Sequence, residues 1–308
     1  MVDNHKNWWQ KITDATRRAV ELKAINSIPC NRRIIEENGI AFVVRVVDNL
    51  AKKEEAKKKQ KEEEKKNPNF NPFLPYDKNL YVGDVGERHV AILNKFNVVN
   101  HHVLIVTREF ESQWELLTES DFVALWTILG EVRGLGFYNG GRLSGASQPH
   151  KHLQFIPEFS DENLSNIPID RLVLSYQGKR GLFTIDELSF VHKIAFFPQE
   201  ELNNSPGVMG RISYEYYRSM LEDLSIEVRG KVPRKDYNLL VTQDWMMLVP
   251  RRKEKFKSIS VNSLGFAGNL LVKNEEQLAT VEKHKPLKIL AKVGVEKEEW
   301  KEEIQERD

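Results

Sequence analysis

Two strand–turn–strand units constrain the fold of this chain more than any other feature. Tyr237–Thr242 (YNLLVT) and Trp245–Pro250 (WMMLVP) are apolar runs of strand composition, separated only by Gln243 and Asp244, and they read as a hairpin. His89–Asn94 (HVAILN) and His102–Thr107 (HVLIVT) repeat that order around a turn region near Val99–His101. One unit ends in VT and the other in VP, a faint sign of internal duplication. Short connections join antiparallel neighbours, because a parallel pair needs a long crossover. The expected class is therefore α+β, a central antiparallel sheet with flanking helices, and not a parallel βαβ array.

Helical periodicity fills in the flanks. Residues 6–23 carry Trp8, Ile12, Ala15, Ala19 and Leu22 at helical spacing. A second helix is expected at about 118–133, where Thr118 can cap, Asp121 falls in the first turn, and Phe122, Leu125, Trp126 and Leu129 share an apolar face. A third, Ile212–Leu224, turns Tyr216, Met220 and Leu224 inward. Gly39–Leu50 and Phe190–Phe197 have strand composition, whereas Gly134, Gly136, Gly140, Gly141 and Gly145 predict a loop leading into a strand at His150–Ile156. Ala51–Lys66 (AKKEEAKKKQKEEEKK) has almost nothing to bury and reads as a solvated helix or insertion, and Asn67–Tyr76, rich in proline and asparagine, as an extended loop. The expected organisation is a helix, strand and charged segment over 1–66 packing on a main domain at 67–295, then a charged tail at 296–308.

Composition excludes several classes of function. The 46 basic side chains balance 45 acidic ones, so no global field recruits nucleic acid or an anionic membrane, and a bound anion must be held by a local site. Cys30 is the single cysteine, which rules out an intramolecular disulfide and a cysteine-rich zinc site. The start MVDNHKNWWQ does not resemble a signal peptide, and no apolar run approaches the roughly 18 residues of a membrane helix. A cytoplasmic protein is expected, with the nucleus as the other reducing compartment.

The chemistry concentrates in Asn139–Ile156, NGGRLSGASQPHKHLQFI. On a strand, alternate side chains share a face. His150, His152 and Gln154 would then point one way while Leu153 and Phe155 point into packing. Three polar side chains in a row are costly to bury without partners, so a polar ligand should sit against them. The preceding loop contains Gly140, Gly141, Ser144, Gly145 and Ser147, which lets the backbone approach a ligand and turn successive N–H groups toward an anion; Ser147 and Gln148 add side-chain donors. An H-x-H pair also suits zinc, but a third ligand is needed and none is adjacent. His5, His89, His192 and His284 read as structural.

The H-x-H-x-Q strand after a Gly/Ser loop resembles the transferase branch of the histidine triad superfamily. More narrowly, the chain resembles the diadenosine tetraphosphate phosphorylases, also called ATP adenylyltransferases. The resemblance extends over LNKFNVVNHHVLIVTREF (93–110), FYNGGRLSGASQPHKHLQ (137–154), YNLLVTQDWMMLVPR (237–251) and NSLGFAGNLLVKN (262–274), in the family's order. It implies a HIT-like fold and a monomer. It also implies phosphorolysis of diadenosine tetraphosphate to ATP and ADP by way of a covalent AMP on His152, with His150 orienting that nucleophile or meeting a phosphate oxygen. Adenylylsulfate phosphorolysis is a further activity of such relatives.

By the same resemblance, Gln154 stands where hydrolase members carry a third histidine, and it suits a good leaving group such as a polyphosphate. Asn94 and Lys95 match positions near the nucleotide, with Asn94 against the ribose. Asn139 and the loop Ser144, Gly145, Ala146, Ser147 and Gln148 match the phosphate cradle. Asn262, Ser263, Leu264, Asn269 and Lys273 match a second substrate-binding segment. Lys53 matches a further phosphate-binding lysine, although its place in a lysine-rich run favours a solvated surface. Inorganic phosphate is the second substrate. Mg2+ is expected as the partner of the polyphosphate, without a protein cage or an organic cofactor. Gln148-Pro149 before the first histidine also occurs in sugar-1-phosphate uridylyltransferases. A nucleoside diphosphate-sugar nucleotidyltransferase therefore stays open as an alternative, as does a non-catalytic nucleotide-binding module.

Overall fold

The computed structural model describes residues 7–47, 71–159 and 165–300. The run at 51–66, and Lys53 within it, therefore lies outside the described residues, as do His5 and most of the tail. In chain order the main elements are α1 (Trp8–Glu21), β1 (Cys30–Glu37), β2 (Ile40–Val47), β3 (Tyr81–Val85), β4 (His89–Leu93), β5 (Val103–Thr107), α2 (Glu119–Leu129), β6 (Gly134–Gly140), β7 (His152–Pro157), α3 (Asp170–Leu174) and β8 (Lys193–Phe196). These are followed by α4 (Pro206–Asp223), β9 (Tyr237–Val241), β10 (Trp245–Pro250), α5 (Ser263–Phe266), β11 (Asn269–Val272), α6 (Glu275–His284) and α7 (Pro286–Val293).

The central sheet has eight strands in the order β3-β4-β5-β7-β6-β9-β10-β8, and every neighbouring pair is antiparallel. Both expected hairpins are present. They flank the central pair β7–β6, one joining it through its second strand and the other through its first. One face of the sheet buries Leu153, Phe155 and Tyr138 in a cluster with Trp8 and Ile12 of α1, Leu125 and Trp126 of α2, and Met220 of α4. The other face packs Phe137, Leu240 and Met247 against Phe42, Val44, Leu270 and Val272. The last four come from a second sheet, β1-β2-β11, in which β11 runs parallel to β2.

Five sequence expectations change. Gly134–Gly140 is a fully buried strand and not a loop, because Leu135, Phe137 and Tyr138 pack on both sides while glycine at 136 leaves room for Leu125 of α2. β1 was not anticipated, since CNRRIIEE is charged; it is an outer strand joined to β2 by Asn38-Gly39, both at positive φ (49° and 77°), a two-residue hairpin turn. The third helix begins at Pro206 and buries Tyr217, with Tyr216 only partly covered, and Leu22 after α1 is exposed. His150 precedes β7 and is held by an isolated bridge to Ser112. Among the described residues no helix is long and apolar enough to cross a membrane.

Helix α2 is capped as expected. Thr118 Oγ1 accepts from the Asp121 N–H, and Asp121 accepts from the Thr118 N–H at 2.7 Å. It lies along α4, tied by a bond from Trp126 Nε1 to Ser213 Oγ at 2.6 Å. The two helices pack tightly at Gly210, where a Cβ would stand 2.8 Å from the backbone nitrogen of Val123. Gly210→Ala would gain about 1 kcal/mol of helix propensity, but backbone cannot yield as a side-chain tip can. The variant is therefore expected to be less stable by about 1–3 kcal/mol, read as a lower urea midpoint. A stabilised variant would refute the close packing of α2 on α4.

Candidate active site

His152 opens β7 with its backbone clamped: its N–H donates to Gln113 Oε1 at 2.8 Å, while Gln113 Nε2 donates to the Asn139 carbonyl at 2.9 Å. Its Nδ1 lies 2.8 Å from the His150 carbonyl, which can only accept, so Nδ1 carries the proton and Nε2 keeps its lone pair. Burial, and after it the neighbouring His150, pull this imidazole down to about 4, so it is neutral at neutral pH.

His150 is oriented by a similar argument. The Phe73 N–H donates to Asn71 Oδ1 at 2.9 Å, which turns Asn71 Nδ2 toward His150 Nδ1 at 2.9 Å. Nδ1 therefore accepts, and Nε2–H donates to Thr107, whose carbonyl and Oγ1 are both 2.9 Å away. Burial lowers the His150 imidazole too. With both nitrogens engaged, His150 is not set up to share a zinc ion with His152. The Phe73 ring lies 5.8 Å from His150 and 5.2 Å from His152, so the two imidazoles share one side of the chain.

The residue between them faces the other way. Lys151 is 1% exposed and pairs with Glu111 at 2.8 Å and with Asp121, 3.6 Å away. Asp121 also meets His89 Nε2 at 2.8 Å, which ties the reactive segment to the start of α2. Gln154 lies on the His152 side and accepts from His102 Nε2 at 3.0 Å; His102 in turn faces Asn94.

The cradle and the second binding segment meet. Gly145 has φ +87°, and a Cβ there would lie 2.9 Å from both Asn262 Cβ and the Val261 carbonyl. Asn139 Oδ1 accepts from the Ser263 N–H at 3.0 Å, from Ser263 Oγ at 2.8 Å and from Asn238 Nδ2 at 2.8 Å. Ser144 Oγ donates to the Gly141 carbonyl. These side-chain atoms serve the scaffold, whereas the N–H groups of Ala146, Ser147 and Gln148 have no partner among the described residues. Arg251 is tied to the same scaffold, bonding to Asn238 Oδ1, whose Nδ2 holds the Ser144 carbonyl, and to the Val261 carbonyl; burial lowers its guanidinium to about 9, still cationic at neutral pH.

The remaining predicted positions have separate partners. Asn262 Oδ1 caps α5 by accepting from the Leu264 N–H at 3.1 Å. Lys95 is exposed, and its carbonyl accepts from Asn26. Asn269 donates to the Asn166 carbonyl at 2.7 Å, and Lys273 is exposed just past β11; no described contact joins either residue to the histidines. Sequence reasoning missed Asn71, Phe73, Gln113 and His102. The one available signal was a repeated Asn-x-Phe, at Asn71–Phe73 and Asn94–Phe96.

The model of the Ap4A phosphorylase N-terminal domain matches residues 2–175, and that of the ATP adenylyltransferase C-terminal domain matches 186–296. The chain belongs to the Ap4A phosphorylase family. It is an enzyme of the nucleotidyltransferase class. In Saccharomyces cerevisiae, diadenosine 5',5'''-P1,P4-tetraphosphate phosphorylase 2 is 32% identical over 237 residues, covering 68% of this chain and 70% of that protein. Protein APA1 of the same yeast is 27% identical over 237 residues, covering 65% of this chain and 66% of its own length. The crystal structure of yeast Ap4A phosphorylase Apa2 in complex with Ap4A superposes with a TM-score of 0.77 at 25% identity, covering 96% of this chain and 99% of that one.

In this family member three imidazoles are buried neutral. His152 and His102 are pulled down to about 4 by burial; His192, whose Nδ1 donates to the Phe190 carbonyl and whose Nε2 accepts from the Ile185 N–H, is pulled down to about 3. The unfolded chain takes up protons below about pH 6.5 that the folded chain refuses until about pH 4. The unfolded state thus binds more protons, and stability falls as pH drops through that window. The urea midpoint should be lower at pH 5 than at pH 7, and equal midpoints would contradict three neutral buried imidazoles.

Proposed function

We propose that the chain phosphorolyses diadenosine tetraphosphate to ATP and ADP through an adenylyl group carried on His152 Nε2. The observation that carries the assignment is the Nδ1–H bond to the His150 carbonyl, which leaves Nε2 as a neutral lone pair on the side of the chain shared with Gln154. In the first step Nε2 forms a bond to the α-phosphorus, the bond to the bridging oxygen breaks, and ATP leaves with that oxygen. In the second step an oxygen of inorganic phosphate attacks the same phosphorus, the N–P bond breaks, and ADP leaves. Two in-line displacements give retention at phosphorus and ping-pong kinetics.

Positioning and charge supply most of the remaining catalysis. The N–H groups of Ala146, Ser147 and Gln148 form an anion nest for the phosphate chain, with the Arg251 charge held in the scaffold beneath the loop through Asn238. Gln154 cannot supply a proton, which suits a polyphosphate leaving group. Asn94 keeps one N–H and one lone pair for the ribose after its internal bonds. Lys273, exposed just past β11, supplies charge to the distal phosphates. No group of three or more metal-ligating side chains occurs among the described residues, so the proposed Mg2+ would be carried by polyphosphate oxygens and water.

The test is product analysis with purified variants. The wild-type chain should release ATP and ADP from diadenosine tetraphosphate only when phosphate is present. His152→Ala should lower kcat by at least about 10⁴-fold, with nucleotide binding retained. His150→Ala should be impaired yet still turn over. Uridylyl transfer to a sugar phosphate, or an active His152→Ala enzyme, would overturn the assignment.

A further inference from the structure

We propose that His102 is a positioning residue that dictates which end of the Gln154 amide meets the substrate. This rests on the reading of His152 as the nucleophile. The relay begins at the backbone N–H of Phe96, which can only donate and lies 3.1 Å from Asn94 Oδ1. With its oxygen fixed, Asn94 turns Nδ2 toward His102 Nδ1 at 3.2 Å. An amide nitrogen offers no lone pair, so Nδ1 accepts, and the single proton of the neutral imidazole sits on Nε2. That N–H meets Gln154 at 3.0 Å and therefore selects its Oε1.

The Gln154 amide nitrogen is thus turned away from His102, and it has no hydrogen-bond partner among the described residues. Gln154 stands two residues beyond His152 on the same strand, so these free N–H groups face the space beside the nucleophile. There they donate to an oxygen of the α-phosphoryl group, where negative charge must be held during transfer. A flipped amide would instead set the lone pairs of Oε1 against the phosphoryl oxygens.

Burial supports the relay by keeping His102 neutral, pulled down to about 4, so the tautomer persists across the neutral range. Asn71 fixes His150 by the same device, a backbone N–H two residues on pinning the asparagine oxygen. The imidazoles of His102, His150 and His152 each have a tautomer that traces back to a backbone group.

The test is a double-mutant cycle on the full-length chain, following both turnover and adenylylation of His152. His102→Leu removes the donor and should lower kcat by about 10- to 100-fold, with KM changed less than about threefold. His102→Gln, which restores an N–H at a similar reach, should recover most of the rate. In a Gln154→Ala background, His102→Leu should cost less than about twofold more, because the group it orients is gone. Nitrogen NMR of the wild-type chain should show His102 protonated at Nε2. An equal loss in both backgrounds, a loss in KM alone, no loss, or an Nδ1–H tautomer would overturn the relay. A wild-type chain that never becomes adenylylated at His152 would instead remove the nucleophile assignment, a distinct result.

Discussion

The bond from His152 Nδ1–H to the carbonyl two residues earlier is the contact on which the reactive site depends. It is 2.8 Å long and lies within one short stretch of backbone, so a modest shift of the 150–152 segment would release the imidazole to rotate. Burial adds the second requirement by holding the ring neutral, pulled down to about 4. Unlike His192, whose Nε2 accepts from the Ile185 N–H, His152 keeps its unprotonated nitrogen without a hydrogen-bond partner among the described residues, so it can act as a nucleophile.

That segment is braced from both sides of the sheet. On the reactive side, Gln113 ties the His152 N–H to the Asn139 carbonyl, and Asn71 and Thr107 hold the His150 ring. On the opposite side, Lys151 places an ammonium among Glu111, Asp121 and the Leu116 carbonyl. Removing one partner of a buried pair typically costs about 3–5 kcal/mol, so this anchor resists displacement. Cradle and second binding segment meet through Asn139, Asn238 and Ser263, a polar knot that joins β6, β9 and α5.

Much of this was legible in the residues. Two close-spaced strand pairs imply the antiparallel sheet, and the alternation in HKHLQF separates His150, His152 and Gln154 from Leu153 and Phe155. Other parts were hidden for physical reasons. Glycine-rich β6 is a strand because it is central and covered on both faces, a tertiary effect that outweighs local propensity. His102, Asn71 and Gln113 are separated from the H-x-H pair by dozens of residues, and only the sheet order β4-β5-β7 and the closing segment at 71–73 bring them together. Asn139, Ser144 and Ser263 matched a substrate-binding pattern, yet their side chains hold the scaffold that presents the cradle.

The most direct measurement is mass analysis of the intact chain and its peptides after brief exposure to diadenosine tetraphosphate without phosphate. The account predicts one added adenylyl group, carried by His152, that disappears when inorganic phosphate is supplied and appears as ADP. Turnover to ATP and ADP with no covalent adduct, or an adduct on a residue other than His152, would contradict it.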